Sequence, residues 1–145
     1  MNHEIQDASK KILHEAKMDE PARLLMTVPG IGYYSALLIA SEIDDVNRFP
    51  DSSHVCSYTG LTPSTHSSGA VSYHGRITRT GSGYLRWALI ECVQTHIRTQ
   101  PESTITQFYN RLAKKKDASK AKVAAASKLL KVVYWVLKER RPHHG

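Results

Sequence analysis

A chain of 145 residues is long enough for one domain with a buried core and short for two. Its 41% hydrophobic and 23% charged residues are those of an ordinary globular protein, and no apolar run nears the ~20 residues that span a bilayer. The net charge of +7 favours a polyanionic partner. The opening Met1-Asn2-His3-Glu4-Ile5-Gln6 lacks the basic-then-apolar layout of a signal peptide, so a cytoplasmic location is expected.

In chain order, residues 1–18 read as a polar, weakly amphipathic helix carrying Ile5, Ala8, Ile12, Leu13 and Ala16, a linker or connecting helix ahead of a domain over 19–145. Asp19 caps a second helix with Pro21 in its first turn, and Pro29-Gly30-Ile31-Gly32 breaks it. A third helix follows over 33–43, burying Ala36, Leu37, Ala40 and Ile43. Asp51 or Ser52 opens a short helix that Gly60 and Pro63 stop. Residues 62–83 are rich in Ser, Thr, Gly and His, which predicts a long loop or a short β-hairpin around His74-Gly75. Helical patterning resumes over 84–98, with Leu85, Ala88, Leu89, Cys92, Val93 and His96 on one side. Pro101 is expected to start a further helix through Ile105, Phe108, Tyr109 and Leu112, and the last and longest helix covers 118–139. The fold class is mainly α, a helical bundle. Cys56 and Cys92 form no CxxC pair and are expected as reduced, buried thiols.

The excess charge sits late. From Arg111 onward eleven cations, among them Lys114, Lys115, Lys116 and Lys120, face only Asp117 and Glu139. An acidic membrane surface could attract such a segment, but its apolar residues from Val123 to Leu137 pattern as a core-facing stripe, which favours nucleic acid. No membrane partner is expected.

Two constellations carry chemistry. Leu25-Met26-Thr27-Val28-Pro29-Gly30-Ile31-Gly32, leading into Ala36 and Ile39, has the pattern of a helix-hairpin-helix over 22–43. Gly30 and Gly32 permit a tight turn whose N–H groups, with the next helix N-terminus, can face a phosphate; the competing reading is a plain αα-turn. The second runs from Tyr58-Thr59-Gly60-Leu61-Thr62-Pro63 through Ser67-Ser68-Gly69 to His74-Gly75-Arg76-Ile77-Thr78-Arg79-Thr80-Gly81 and Leu85-Arg86. It places small hydroxyls beside glycine with cations near in sequence. Phosphoryl transfer through serine needs such a nucleophile and positive charge for the pentacoordinate phosphate. Arginine's planar fork suits phosphate oxygens. On composition alone, these serines read as solvated loop and Arg76 and Arg79 as phosphate binders.

The ordered series VPGIG, RF, YTGLTP, SSG, GRITRTG and LR, with Phe108-Tyr109 and Ala126-Ser127-Lys128-Leu129-Leu130 further on, resembles the C-terminal domain of IS110/IS116/IS902-family transposases over residues 20–140. The resemblance implies a recombinase that cuts and rejoins DNA through a serine covalently linked to DNA, and a prokaryotic, nucleoid-associated setting. The family's serine falls on Ser68, with Ser67 its close neighbour. Arg76, Arg79 and Arg86 become the candidate phosphate contacts, and Lys114, Lys115 and Lys116 candidate backbone contacts. The family's complete protein carries an N-terminal RuvC-like domain whose acidic residues bind Mg2+; nothing before residue 20 is expected to hold it, so no metal or cofactor is assigned to this chain, which is expected to be inactive alone. A structured guide RNA and further copies of the protein are implied partners.

Other features read as structural. Asp44-Asp45 is expected as a solvated helix terminus. The histidines lack zinc-site spacing, and His66 and His74 are expected as exposed loop residues. Trp87 and Trp135, beside apolar neighbours, are expected in the core. Two alternatives stay open: a non-catalytic helix-hairpin-helix DNA-binding module, and an oligomerisation domain.

Overall fold

Side-chain caps set most of the helix ends. The computed structural model describes residues 2–61 and 69–143, with side chains over 4–61 and 83–143. Helix α1 spans Asn2–Met18 and α2 Glu20–Leu25. The Asp19 carboxylate between them accepts from Ala22 N at 3.0 Å, satisfying one of the donors a helix start leaves open. After the PGIG turn, α3 runs Tyr33–Ile43, and a 3-10 turn covers Val46–Arg48. Helix α4, Ser52–Thr59, is capped by Asp51, whose Oδ1 meets His54 N at 3.0 Å and His54 Nδ1 at 2.7 Å. These contacts hold the Asp51 carboxyl below its ordinary range, the His54 side chain contributing most. Gly60, left-handed at φ 75°, ends α4 and allows Leu61 N to bond back to Cys56 O at 3.0 Å.

Helix α5 runs Gly69–Thr99. The loop or hairpin expected over 62–83 is therefore corrected for 69–83, which is the first half of this helix; residues 62–68 lie outside the described residues. Gly, Ser and Thr lower helix propensity without forbidding it, and no proline lies between Pro63 and Pro101. A nucleus packed through Leu85 and Leu89 can therefore propagate toward the N-terminus. The start expected at Pro101 also moves. Helix α6 is Thr104–Lys115, because Ser103 Oγ accepts from Thr106 N at 3.1 Å. Helix α7, Ala118–Glu139, is capped by Asp117, which accepts from Ser119 N at 2.6 Å.

The described residues thus form a mainly α bundle of seven α-helices with no strand. Helix α7 packs on α2, α4, α5 and α6, and α5 also lies against α3. Leu129, Leu130 and Val133 of α7 meet a core to which α5 brings Leu85, Leu89 and Val93. Burial of such side chains, about 1.5–3 kcal/mol each, holds helices whose surfaces are otherwise polar. Tyr134 is buried and donates its hydroxyl to Phe49 O at 3.1 Å, which ties α7 to the segment between α3 and α4. Cys56 and Cys92 are free and buried, and burial raises both thiols above their ordinary 9.0. No helix among the described residues is long and apolar enough to cross a membrane.

Candidate nucleic-acid interface

Two helices meeting at Pro29-Gly30-Ile31-Gly32 use their glycines in different ways. Gly30 has φ 101°, and a Cβ there would lie 2.7 Å from Cys92 O and 2.9 Å from His96 Cβ. The absent side chain at Gly30 lets the turn sit directly on α5. His96, buried on α5, fastens that seat. Its Nδ1 donates to Pro29 O at 2.7 Å, and its Nε2 meets Ser103 Oγ, the cap of α6, also at 2.7 Å. Gly32 has no heavy atom within 4 Å of a built Cβ and is the N-cap of α3, without a side-chain cap. The turn is closed on its Gly30 side and open on its Gly32 side.

A second feature lies where α5, α6 and α7 meet the end of α4. A pocket of about 470 Å³ is lined by Arg86 of α5, Lys116 at the end of α6, and Ser119 and Lys120 in the first turn of α7, with Gly60 at its rim. Among the described residues no acidic side chain lines it. Among the described residues, none of the three cations is in an ion pair. Three positive charges without a counter-charge repel one another and attract an anion, the more so in a concave site. Arg86 and Lys116 were expected as phosphate contacts, and here they line one pocket. Lys114 and Lys115 lie exposed in the last turn of α6, outside it. Ser67 and Ser68 fall outside the described residues. Arg76 and Arg79 lie on α5 in the stretch whose side chains are not described.

The sequence model of the transposase IS116/IS110/IS902 family matches residues 22–110, more than half of the chain. The chain belongs to this family. Among its relatives, the transposase of insertion sequence element IS1111A from Coxiella burnetii is 27% identical over 139 residues, 94% of this chain and 38% of that protein. The pilin gene-inverting proteins of Moraxella bovis and Moraxella lacunata are 32% and 34% identical, over 87% and 83% of this chain. The chain spans 38–39% of the length of these three relatives. No solved structure matches it.

Within this transposase-family chain, some motif residues are structural. Arg48, of the RF pair, donates from Nε to Ile43 O and from its guanidinium to Glu42 O, both at 3.0 Å, closing the end of α3. Its guanidinium also lies over the rings of Phe49 and Tyr58, 4.7 and 5.1 Å from their centroids. The expected burial of the tryptophans is corrected: Trp87 and Trp135 are 52% and 51% exposed. Their apolar sequence neighbours point inward, and one residue along a helix turns the side chain by about 100°. Sequence reasoning also passed over Lys120 and His96 as site residues. Lys120 could have been found as the next lysine after the 114–116 run within one turn of a new helix. His96 could not, because its partners Pro29 and Ser103 are set by packing.

Proposed function

We propose that this chain is the part of a transposase-family recombinase that grips nucleic-acid backbone and supplies the serine for DNA strand cleavage and rejoining. The observation that carries the backbone reading is the acid-free pocket where Arg86, Lys116 and Lys120 converge beside Gly60. Such a cluster suits phosphate oxygens, Arg86 as a planar fork and the lysines as point charges. Gly32, open at the uncapped start of α3, suits a further phosphate. Gly30 serves that contact through the shape of the turn. Arg76, Arg79, Lys114 and Lys115 extend the same reading along the backbone.

Ser68 is the nucleophile in this reading, with Ser67 as its competitor. Its Oγ attacks phosphorus, forming a serine–phosphate ester as a strand P–O bond breaks. The serine proton passes to a base, and the departing strand oxygen takes up a proton. A hydroxyl from the incoming strand then attacks the same phosphorus, restoring the serine and a phosphodiester. No oxidant is needed, and bond energy is conserved through the ester. Cations placed around the phosphate stabilise the added charge of the transition state. Among the described residues no group of three or more His, Cys, Asp or Glu could hold a metal ion. Mg2+ bound by an N-terminal RuvC-like domain, a structured guide RNA and a second copy complete the proposal for the longer protein.

The test is binding of the chain to labelled duplex DNA, branched DNA and structured RNA across a salt series. The expected result is a steep salt slope, reduced by Arg86→Ala, Arg76→Ala or Arg79→Ala and unchanged by Ser68→Ala. In the full-length protein, a serine-linked DNA adduct is expected and Ser68→Ala abolishes it. Absence of binding at low salt overturns the backbone reading in favour of an assembly domain. Binding with no adduct leaves a non-catalytic module, and an adduct lost only with Ser67→Ala moves the nucleophile by one residue.

A further inference from the structure

The outer face of α7 carries a second basic surface, distinct from the pocket beside Gly60. Lys128, Lys131, Trp135 and Lys138 recur at spacings of three, four and three, which places them on one helical stripe. All four are exposed. Lys128 is partly engaged, its ammonium 4.5 Å from the Phe108 ring centroid, and Lys138 donates to Asn47 Oδ1 at 2.8 Å. Lys131 lies one turn before Trp135 on this stripe.

Beside the indole the stripe deepens into a groove of about 400 Å³, lined by Lys131, Trp135, Glu139, Arg141 and His143. The groove is built rather than loose. Tyr134, buried, meets the Trp135 ring edge-on with centroids 5.2 Å apart at 87°. The chain after α7 turns back through Arg140, left-handed at φ 54°, with Arg141 N bonded to Val136 O at 3.3 Å. His143 N then donates to Thr27 Oγ1 at 2.8 Å, and Thr27 in turn donates to Leu24 O at 2.6 Å. The tail is thereby pinned across to the end of α2, and it holds Arg141 as a wall of the groove.

We infer that this groove takes an unpaired nucleobase stacked on Trp135, with Lys131 and Arg141 on the flanking phosphates. A half-exposed indole among cations is suited to a ligand that is flat and apolar in the middle and anionic at its ends. Single-stranded nucleic acid meets that description, since base–aromatic stacking and a basic track along the backbone are its usual means of capture. A duplex does not, because its base faces are hidden in the stack and only phosphates and base edges reach the surface. Glu139, the acid on the rim, can accept from an exocyclic amine at the base edge. The inference rests on the nucleic-acid reading above and narrows it to a single-strand site.

The probes are a labelled 12-nucleotide single-stranded DNA, the RNA of the same sequence and the matching duplex, titrated into the chain. Trp135→Ala should weaken single-strand binding about tenfold or more and change duplex binding less than about twofold. Trp135→Phe should recover most of the loss. In a Trp87→Phe background, where Trp135 is the sole indole, the single strand should quench the fluorescence and the duplex should leave it nearly unchanged, a readout that needs no substitution at Trp135. Equal losses for single strand and duplex, or an unquenched Trp135 at saturation, overturn the inference while leaving backbone binding intact. No binding of any probe at low salt overturns both readings.

Discussion

Trp87 on α5 and Trp135 on α7 are exposed to the same degree, yet their surroundings differ in kind. Trp87 shares a broad hollow with Tyr34, Leu38 and Tyr84, in which Glu42 is the only charged residue among the described ones. Trp135 shares its groove with Lys131, Arg141, His143 and one acid, Glu139, and lies on a lysine stripe. An exposed aromatic is ambiguous by itself, and its neighbours' charge decides which ligand gains by covering it. Among the described residues, a polyanion approaching Trp87 meets apolar surface and one carboxylate. The same polyanion approaching Trp135 meets cations that supply affinity before any base stacks. On the proposed reading, the base-stacking site therefore lies at Trp135 and not at Trp87, while α5 also carries the seat of the Pro29–Gly32 turn.

That division can be tested from both sides. The largest effect is expected at the seat. Gly30→Ala sets a Cβ against Cys92 O and at a left-handed φ, and His96→Ala leaves the Pro29 carbonyl without its donor. Each should destabilise the chain by about 2–4 kcal/mol in chemical denaturation. Where the variants stay folded, the log–log salt slope of DNA binding should fall by no more than about 1, the one phosphate contact that the turn offers. Gly32→Ala, with open space around it, should shift stability by less than about 0.5 kcal/mol; a large loss there would show that the two glycines are not divided as described.

Next in size is the binding side. Arg86→Ala, Lys116→Ala and Lys120→Ala combined should lower duplex affinity on the order of a hundredfold at moderate salt and flatten the log–log salt slope by about 3. Tyr34→Ala and Trp87→Ala should leave that affinity within about twofold. A comparable loss from the Trp87 side would erase the distinction between the two surfaces. Stability should separate them less: Trp87→Ala and Trp135→Ala should each cost about 1 kcal/mol or less, because half of each indole is already in water.

The smallest effect concerns the thiols. Burial raises Cys56 and Cys92 above the ordinary 9.0. Their protonated forms are therefore favoured by folding. That contribution is fully present below the unfolded-state value near 9 and is lost as pH rises through the raised folded-state values. A melting series from pH 8 to 10.5 should show this loss, and Cys56→Ala, Cys92→Ala should reduce it. Both thiols should react with a disulfide reagent far more slowly in the folded chain than in denaturant.

Where a chemical signal was local, the sequence was legible. The bounds of α3 and α7, and the caps at Asp19 and Asp51, follow from residues within one turn of each helix end. The cationic bias of the last third, which includes Lys116, was equally plain, and the family motifs drew attention to Arg86, but neither pointed to the convergence of the two on one pocket. Composition misled over 69–83, since Ser, Thr and Gly mark loops on average but become helical here in continuity with a packed segment. It misled at the tryptophans because apolar neighbours were read by adjacency. Read by helical angle, Trp135 falls with Lys128, Lys131 and Lys138.

By itself, then, the sequence determined the helical class, the family motifs and the chain's own excess of positive charge, because propensity, capping and net charge act over a few residues or over the whole chain at once. The tertiary structure alone decided that Gly30 seats on α5 under His96 and that Arg86 meets Lys116 and Lys120 across three helices. It also decided that the tail returns to Thr27 to wall a groove beside Trp135. Those contacts join residues tens of positions apart, and only the packing of one helix on another brings their atoms within reach.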